Sequence, residues 1–329
     1  MQVTVAAVQA TPVFLDTDAT VEKACALIKE AADQGARLVV FPEAFVPTYP
    51  DWVWRLPAWS DGTYMSRLYS QAVQVPGPVV TRLGEAARET GTYVAMGINE
   101  IEGGTLYNTL IYLAPDGTLA GKHRKLMPTG GERAVWGYGD GSTLGVVRTP
   151  FGVVGGLICW ENYMPLARTA MYAQGMEILV APTWDNDETW ISTLRHIAKE
   201  GRCYVIGVSP VLRGADVPAE LRGEIYRDAT APADADWMSR GMGTIVAPGG
   251  EILAGPLRDQ EGIVVAQIDV EATVQAHRRM FDPVGHYARP DVFALNVNVR
   301  PQPAVRFEGA EAPSERRRSG SDPGAAPFA

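Results

Sequence analysis

A cysteine, Cys159, stands where a short apolar run ends and a helix-like stretch begins. The run covers residues 153–158 and contains Gly155 and Gly156, which predicts a buried strand whose backbone passes close to a neighbouring element. From Glu161 onward, an early acidic residue, a proline and apolar residues at helical spacing predict a helix. A thiol at such a strand-to-helix elbow could act as a nucleophile, because a helix start favours the thiolate. The alternative is a buried cysteine that only packs in the core.

Two charged residues also follow predicted strands directly. Glu43 comes after a buried strand at 36–41, and Lys125 comes after a strand at 119–123. A carboxylate could take the proton of a thiol, and an ammonium group could stabilise the negative charge that develops when the thiolate attacks carbon. The alternatives are a solvated loop for Glu43 and a solvated charged face for Lys125, which lies in a run of basic residues.

The elements that must position these residues alternate between strands and helices, with β-hairpins between them, which is typical of an α/β layered domain. In such sheets reactive groups gather at the carboxyl ends of strands, so folding could unite three residues that are far apart in the sequence. The stretch 244–269 repeats the strand-turn-strand pattern of residues 106–123, which predicts two halves of similar architecture. Helices are predicted at 16–34, 79–90, 189–200 and 270–279.

The composition excludes several classes of function. Hydrophobic residues make up 46% and charged residues 20%, as in ordinary soluble globular proteins, and the net charge of −9 argues against nucleic acid and anionic membranes as partners. No apolar run is long enough to cross a membrane, and the N-terminal residues predict a strand, not a signal peptide. Cys25, Cys159 and Cys203 are widely spaced, which argues against disulfides or a zinc site and favours a reducing, cytoplasmic location. Cys25 and Cys203 are predicted core residues.

Three segments around the chemical residues resemble the catalytic motifs of the nitrilase, or carbon–nitrogen hydrolase, superfamily. They occur in the family's order and are Phe41-Pro-Glu43-Ala-Phe, His123-Arg-Lys125-Leu-Met-Pro-Thr and Gly156-Leu-Ile-Cys159-Trp-Glu-Asn. The resemblance spans residues 3–295. The Cys-Trp-Glu sequence and the stretches 131–141 and 282–291 resemble the true nitrilase branch more than the amidase and carbamoylase branches.

The resemblance carries expectations about the fold and the assembly. It implies a four-layer α-β-β-α sandwich, which we assign to residues 1–299, and homodimers that build larger or spiral homo-oligomers. The layering read from the residues agrees with this fold but does not establish it. Residues 300–329 are rich in Pro, Ser, Gly and Arg, which predicts a disordered tail.

The resemblance also assigns roles in catalysis. Glu43 would accept the proton of Cys159, the nucleophile, and Lys125 would stabilise charge while a nitrile is hydrolysed to a carboxylic acid and ammonia through a thioimidate and a thioester. Glu132 matches a further glutamate that family members place beside the lysine and cysteine, where it would orient the lysine or relay a proton. The alternative for Glu132 is a surface salt bridge with Arg133 or Arg124. No metal or organic cofactor is required, because the thiol supplies the nucleophile.

The predicted partner is a small-molecule nitrile, with Tyr49, Trp160 and Trp184 as walls of a mostly apolar pocket. Their rings fit arylaliphatic or aromatic nitriles, but ring content does not give the size of the substrate. An amidase or a cyanide-hydrolysing or cyanide-hydrating enzyme of the same superfamily would share the same triad. An alternative from a different class is a non-catalytic filament or scaffold protein, with residues 45–64 and 207–240 as assembly surfaces.

Overall fold

The computed structural model describes residues 2–57, 62–225 and 235–305, in which strands and helices alternate along most of the chain. The strands are β1 Gln2–Gln9, β2 Ala36–Val40, β3 Tyr93–Glu102, β4 Thr105–Leu113, β5 Leu119–Arg124, β6 Val146–Thr149, β7 Gly152–Gly156, β8 Ile178–Pro182, β9 Tyr204–Val208, β10 Val211–Arg213, β11 Trp237–Val246, β12 Ile252–Arg258 and β13 Gly262–Asp269. The helices are α1 Thr17–Asp33, α2 Gly62–Gln71, α3 Pro78–Thr90, α4 Pro165–Ala173, α5 Glu188–Gly201, α6 Ala219–Ile225 and α7 Val270–Met280.

The described strands form two sheets of similar construction. One sheet has the order β13-β1-β2-β3-β4-β5, and the other has the order β10-β11-β9-β8-β7-β6 with β12 paired to β11. Each contains three neighbouring parallel strands, β1-β2-β3 and β7-β8-β9, followed by antiparallel strands that include the hairpins β4–β5 and β11–β12. The predicted similarity of the two halves is therefore confirmed.

Buried apolar residues divide the molecule into four layers. One cluster lies between the two sheets and includes Val5, Leu38, Leu110, Val154, Val180 and Ile206. A second cluster packs α1 and α3 on the outer face of the first sheet and includes Val21, Ile28, Val39, Leu83 and Met96. A third packs α4 and α5 on the outer face of the second sheet and includes Met171, Leu179, Leu194, Ile197 and Val205. The predicted four-layer α-β-β-α sandwich is confirmed, and these hydrophobic contacts are its main source of stability.

The glycine pair in β7 explains how the second sheet approaches its neighbours. A Cβ atom on Gly156 would lie 2.4 Å from Leu110 Cδ2 and from Tyr112 OH, both in β4 of the facing sheet. A Cβ atom on Gly155 would lie 2.5 Å from Cε of Met171 in α4. The strand before Cys159 therefore packs closely on both faces, as the sequence predicted.

The chain after β7 differs from the sequence prediction. A 3-10 turn covers Cys159–Tyr163, and the α-helix begins only at Pro165, so the predicted helix starting at Glu161 is wrong in its start. A residue that precedes a proline avoids the α region, and Met164 is accordingly extended, with φ −90° and ψ 99°. Cys159 is thus followed by a single tight turn instead of a long helix.

Two predictions concern parts of the chain that the structure describes only partly. Residues 306–329 of the predicted tail lie outside the described residues, and residues 300–305 are exposed and belong to no helix or strand.

Within the three described ranges, no helix combines the length and apolar character that crossing a bilayer demands. The domain boundary at residue 299 stays a prediction.

Candidate active site

Cys159 lies buried at the elbow where the 3-10 turn begins. Its φ of +54° falls in the left-handed region, which is unusual for a residue other than glycine and costs about 1–3 kcal/mol. The amide Nδ2 of Asn162 donates hydrogen bonds to the carbonyl oxygens of Leu157 and Cys159, at 2.8 and 2.9 Å. Thr183, which follows β8, donates its hydroxyl to Cys159 Sγ at 3.1 Å. These contacts hold the strained elbow and fix the direction of the thiol.

Glu43 follows β2 and is buried beside Lys125. Its Oε1 accepts hydrogen bonds from Asn108 Nδ2 and from Lys125 Nζ, each at 2.7 Å. Its Oε2 is also buried and has no hydrogen-bond partner within the described residues. A buried carboxylate oxygen without a donor normally destabilises a protein, so this oxygen is chemically free to take up a proton.

Lys125 joins Glu43 and Glu132 in one buried cluster. Its Nζ donates to Glu132 Oε2 at 2.7 Å in addition to the bond with Glu43, and each of the three residues is only 1% exposed. Glu132 lies in a short 3-10 turn, Gly130–Ala134, where its Oε2 also accepts the N–H of Thr129 at 2.7 Å. Glu132 therefore pairs with the lysine inside the protein and does not form the alternative surface salt bridge with an arginine.

Burial and mutual attraction set the charge states of this cluster. Burial raises the pKa of Glu43 to about 7, because the Lys125 ammonium only partly offsets it and the Glu132 carboxylate adds to it. Burial also disfavours the charge of Lys125, but the neighbouring acidic groups, Glu43 foremost and Glu132 among them, together outweigh that effect and hold the pKa of the ammonium well above its usual range. At neutral pH, Lys125 is therefore charged and Glu43 can both accept and release a proton.

The thiol of Cys159 does not have the low pKa that a helix start was expected to give. Burial raises the pKa of this thiol well above its ordinary range, the Glu43 carboxylate adds to the increase, and the Lys125 ammonium opposes it. A single 3-10 turn provides only a small dipole to offset burial. The resting group is the neutral thiol, so its attack on carbon requires a base that removes the proton.

A cavity of about 550 Å³ lies over Cys159, within the size range of small-molecule sites. Besides Cys159 and Glu132, its walls are formed by Tyr49, Trp54, Thr129, Gly130, Trp160, Trp184, Asp185, Asn186 and Asp187. Glu43 and Lys125 are not among these wall residues, and Lys125 is joined to the cavity wall through its bond with Glu132. A ligand in the cavity meets the sulfur and the aromatic rings first.

All three residues predicted as pocket walls, Tyr49, Trp160 and Trp184, line this cavity. The rings of Tyr49 and Trp184 are stacked, with centroids 4.3 Å apart and an interplanar angle of 7°. The hydroxyl of Tyr49 donates to Glu132 Oε1 at 2.6 Å and accepts the indole N–H of Trp54 at 3.0 Å. Tyr49 therefore forms a wall of the cavity and also fixes the orientation of Glu132.

Sequence reasoning did not identify Asn108 and Thr183, which bond to Glu43 and to Cys159. Thr183 stands directly after strand β8, which is the same signal that identified Glu43, so it could have been found. Asn108 lies inside β4, and only the pairing of the strands brings its side chain next to Glu43, so no local sequence pattern marks it.

The described part of the chain contains no group of three or more His, Cys, Asp or Glu side chains that could hold a metal ion. Cys25, Cys159 and Cys203 are all free thiols.

Comparison with known proteins places this geometry in a family. The sequence profile of the carbon–nitrogen hydrolase family matches residues 4–278. The chain is 48% identical to an aliphatic nitrilase of Sinorhizobium fredii over 91% of its own length and 97% of that protein. It is 44% identical to nitrilase 1 of Arabidopsis thaliana over 93% and 89%, and 42% identical to a bifunctional nitrilase/nitrile hydratase of Oryza sativa over 95% and 89%.

Solved structures share the fold at much lower sequence identity. Nit3 of Saccharomyces cerevisiae, a nitrilase superfamily member, superposes with a TM-score of 0.68 at 23% identity, over 87% of this chain and 96% of that one. A CN-hydrolase superfamily protein of Xanthomonas campestris gives a TM-score of 0.69 at 18% identity, over 90% and 100%. The family profile and the named relatives indicate an enzyme and not a non-catalytic scaffold. The chain is a hydrolase that belongs to the carbon–nitrogen hydrolase family, in its nitrilase branch.

Proposed function

We propose that this enzyme hydrolyses an organic nitrile to the carboxylic acid and ammonia, with consumption of two water molecules. Glu43 accepts the proton of Cys159 while the sulfur adds to the nitrile carbon, which gives a thioimidate. Water adds to this carbon, ammonia leaves, and a thioester remains. A second water, activated by Glu43, releases the acid and restores the thiol. Lys125 and the backbone N–H after Cys159 stabilise the negative charge that develops.

The buried cluster beneath the cavity carries this proposal. It combines a thiol that needs a base, a carboxyl group with a pKa of about 7 and an oxygen unpartnered within the described residues, and an ammonium group that bonds to that carboxylate. Glu132 supports the cluster as the second carboxylate that holds Lys125 in place. The arrangement suits the attack of sulfur on an electrophilic carbon that carries little charge of its own.

Replacement of the nucleophile tests the proposal. In Cys159→Ala, release of ammonia and acid from a panel of nitriles should stop while the circular dichroism spectrum stays that of the wild type. Cys25→Ala and Cys203→Ala are matched controls and should remain active, because both thiols pack in the core. Mass spectrometry of a rapidly quenched reaction should find the acyl adduct on the Cys159 peptide. Full turnover by Cys159→Ala, or an adduct only on Cys203, would contradict the covalent route.

A second product is favoured by the relatives that are named bifunctional nitrilase/nitrile hydratases, at 41–43% identity. If the tetrahedral species loses the sulfur instead of ammonia, one water is consumed and the amide is released. We infer that a minor share of turnover ends in the amide. Chromatography of the acid and amide formed from one nitrile measures this share. Supplying the matching amide as substrate distinguishes a nitrilase from an amidase, since only an amidase would hydrolyse it at a comparable rate.

The walls of the cavity point to an apolar substrate. The rings of Tyr49, Trp54, Trp160 and Trp184 offer apolar faces to a ligand, which favours arylaliphatic and aromatic nitriles over free cyanide. We further propose a homodimer that extends into a larger homo-oligomer, and residence in a reducing, cytoplasmic compartment, which the three free thiols favour.

A further inference from the structure

Glu161 connects the two parts of the backbone that carry the lysine and the cysteine. Its Oε1 accepts the N–H of Leu126 at 2.5 Å, and its Oε2 accepts the N–H of Ile158 at 2.7 Å. Leu126 directly follows Lys125, and Ile158 directly precedes Cys159. The Glu161 carboxylate therefore binds the backbone N–H of the residue after Lys125 and that of the residue before Cys159.

His123 is the side-chain partner of this carboxylate. Its Nε2 lies 3.1 and 3.0 Å from the two oxygens of Glu161, and its Nδ1 lies 3.2 Å from the carbonyl oxygen of Thr143. Because both ring nitrogens face acceptors, the geometry fits the imidazolium form, in which both are donors. Burial disfavours that charge, but the Glu161 carboxylate raises the pKa of His123 above its ordinary value. Glu161 is thus held by three donors.

The position of this pair between the sheets gives it a mechanical consequence. His123 lies in β5 at the edge of one sheet, whereas Ile158 follows β7 of the other. Most contacts between the sheets are apolar, and apolar contacts have no preferred direction. Hydrogen bonds from backbone N–H groups to a carboxylate are directional and short, so they fix the separation of the two strand ends.

We propose that Glu161, oriented by His123, is a positioning residue that keeps the Cys159 thiol at the correct distance from Lys125 and Glu43. Glu161 is not among the residues that line the cavity, so it acts through the backbone and does not touch the substrate. The proposal rests on the proposed nitrile hydrolysis for its turnover measurement. Alkylation of the resting thiol by iodoacetamide tests it independently, since that reaction needs no nitrile.

Two substitutions of Glu161 distinguish the effect of its side-chain length from the effect of its charge. In Glu161→Gln, one amide oxygen must serve both N–H groups, so one contact is lost. In Glu161→Asp, the charge remains but the side chain is one methylene shorter and cannot reach both. Both variants should lower kcat at least tenfold with KM within threefold of wild type, and should slow alkylation of Cys159 at pH 7 by a similar factor. Glu177→Gln is the matched control, because Glu177 accepts the N–H of Val153 at the far end of β7. It should change neither measurement more than twofold.

Two substitutions of His123 keep the proposal testable if the Glu161 variants do not fold. His123→Gln places an amide N–H near the position of Nε2 and preserves the donor to Glu161, whereas His123→Asn mimics Nδ1 and loses it. We expect near wild-type alkylation in the first and at least tenfold slower alkylation in the second. Wild-type rates in Glu161→Asp, unchanged alkylation in Glu161→Gln, or equal rates in the two His123 variants would overturn the proposal. If the wild type releases no ammonia from any nitrile, the proposed function fails while the alkylation rates still decide the role of Glu161.

Discussion

At the scale of single residues, the site contrasts a thiol that resists ionisation with a carboxyl group poised to ionise near neutral pH. Both effects come first from burial, which disfavours any charge that lacks a partner. Lys125 has two carboxylate partners and stays charged, whereas Glu43 shares the lysine with Glu132 and keeps one oxygen without a partner in the described residues. Burial, reinforced by the Glu132 carboxylate that shares the ammonium group, therefore explains why the pKa of Glu43 suits a base near neutral pH.

The raised pKa of Glu43 predicts the pH dependence of turnover. The base works only when it is deprotonated, so kcat/KM should fall as pH decreases through about 7, tenfold for each further unit. In Asn108→Leu the carboxylate loses its amide donor, which favours the protonated form, so the acidic limb should move to higher pH. Measurement of kcat/KM from pH 5 to 9 checks both statements. An acidic limb at the same pH in Asn108→Leu would show that this hydrogen bond does not tune the base.

At the scale of elements, the loop that carries Glu43 rests directly on β3. The N–H of Val46 donates to the carbonyl oxygen of Gly97 at 3.1 Å, and the N–H of Asn99 donates back to Val46 at 2.8 Å. A Cβ atom on Gly97 would lie 2.1 Å from the carbonyl oxygen of Pro42 and 2.6 Å from the N of Ala44. These are backbone atoms on either side of Glu43, so the position of the carboxylate depends on the absence of a side chain in the neighbouring strand.

This contact predicts the effect of a single added methyl group. Gly97→Ala should push the Glu43 loop away from β3, lower the free energy of unfolding by about 1–3 kcal/mol and reduce kcat. Gly145→Ala is a suitable control, because a Cβ atom there has nothing within 4 Å. Urea unfolding and ammonia release measure the two effects. Wild-type turnover in Gly97→Ala would mean that the loop keeps its place without this close approach.

At the scale of the whole molecule, the order of strands and helices could be predicted from the sequence, whereas the stacking of the two sheets could not. Alternation and turn residues are local signals, and they located Glu43, Lys125 and Cys159 at strand ends. An apolar run predicts that a strand is buried on both faces, but it does not tell which strand of another sheet packs against it. The four layers were therefore predicted only from the family resemblance. The same limit applies to Asn108, whose contact with Glu43 depends on the pairing of distant strands.

The outer surface of the second helical layer predicts self-association. Tyr163 and Leu166 are 45% and 65% exposed, and they place large apolar side chains at the surface near α4. Light scattering should give a mass above the 35.5 kDa of one chain for the wild type. Leu166→Arg should shift this mass towards that of smaller species and leave the urea midpoint within error. An unchanged mass in Leu166→Arg would exclude this surface from the proposed oligomer.

The aromatic lining of the cavity has an optical consequence. Three of the eight tryptophans of the chain, Trp54, Trp160 and Trp184, surround the space above Cys159. A molecule that enters this space changes the surroundings of these indole rings and should alter their emission. Intrinsic tryptophan fluorescence of Cys159→Ala should therefore report how much of the cavity is occupied by an added nitrile. Nitriles can then be ranked by affinity without any being hydrolysed.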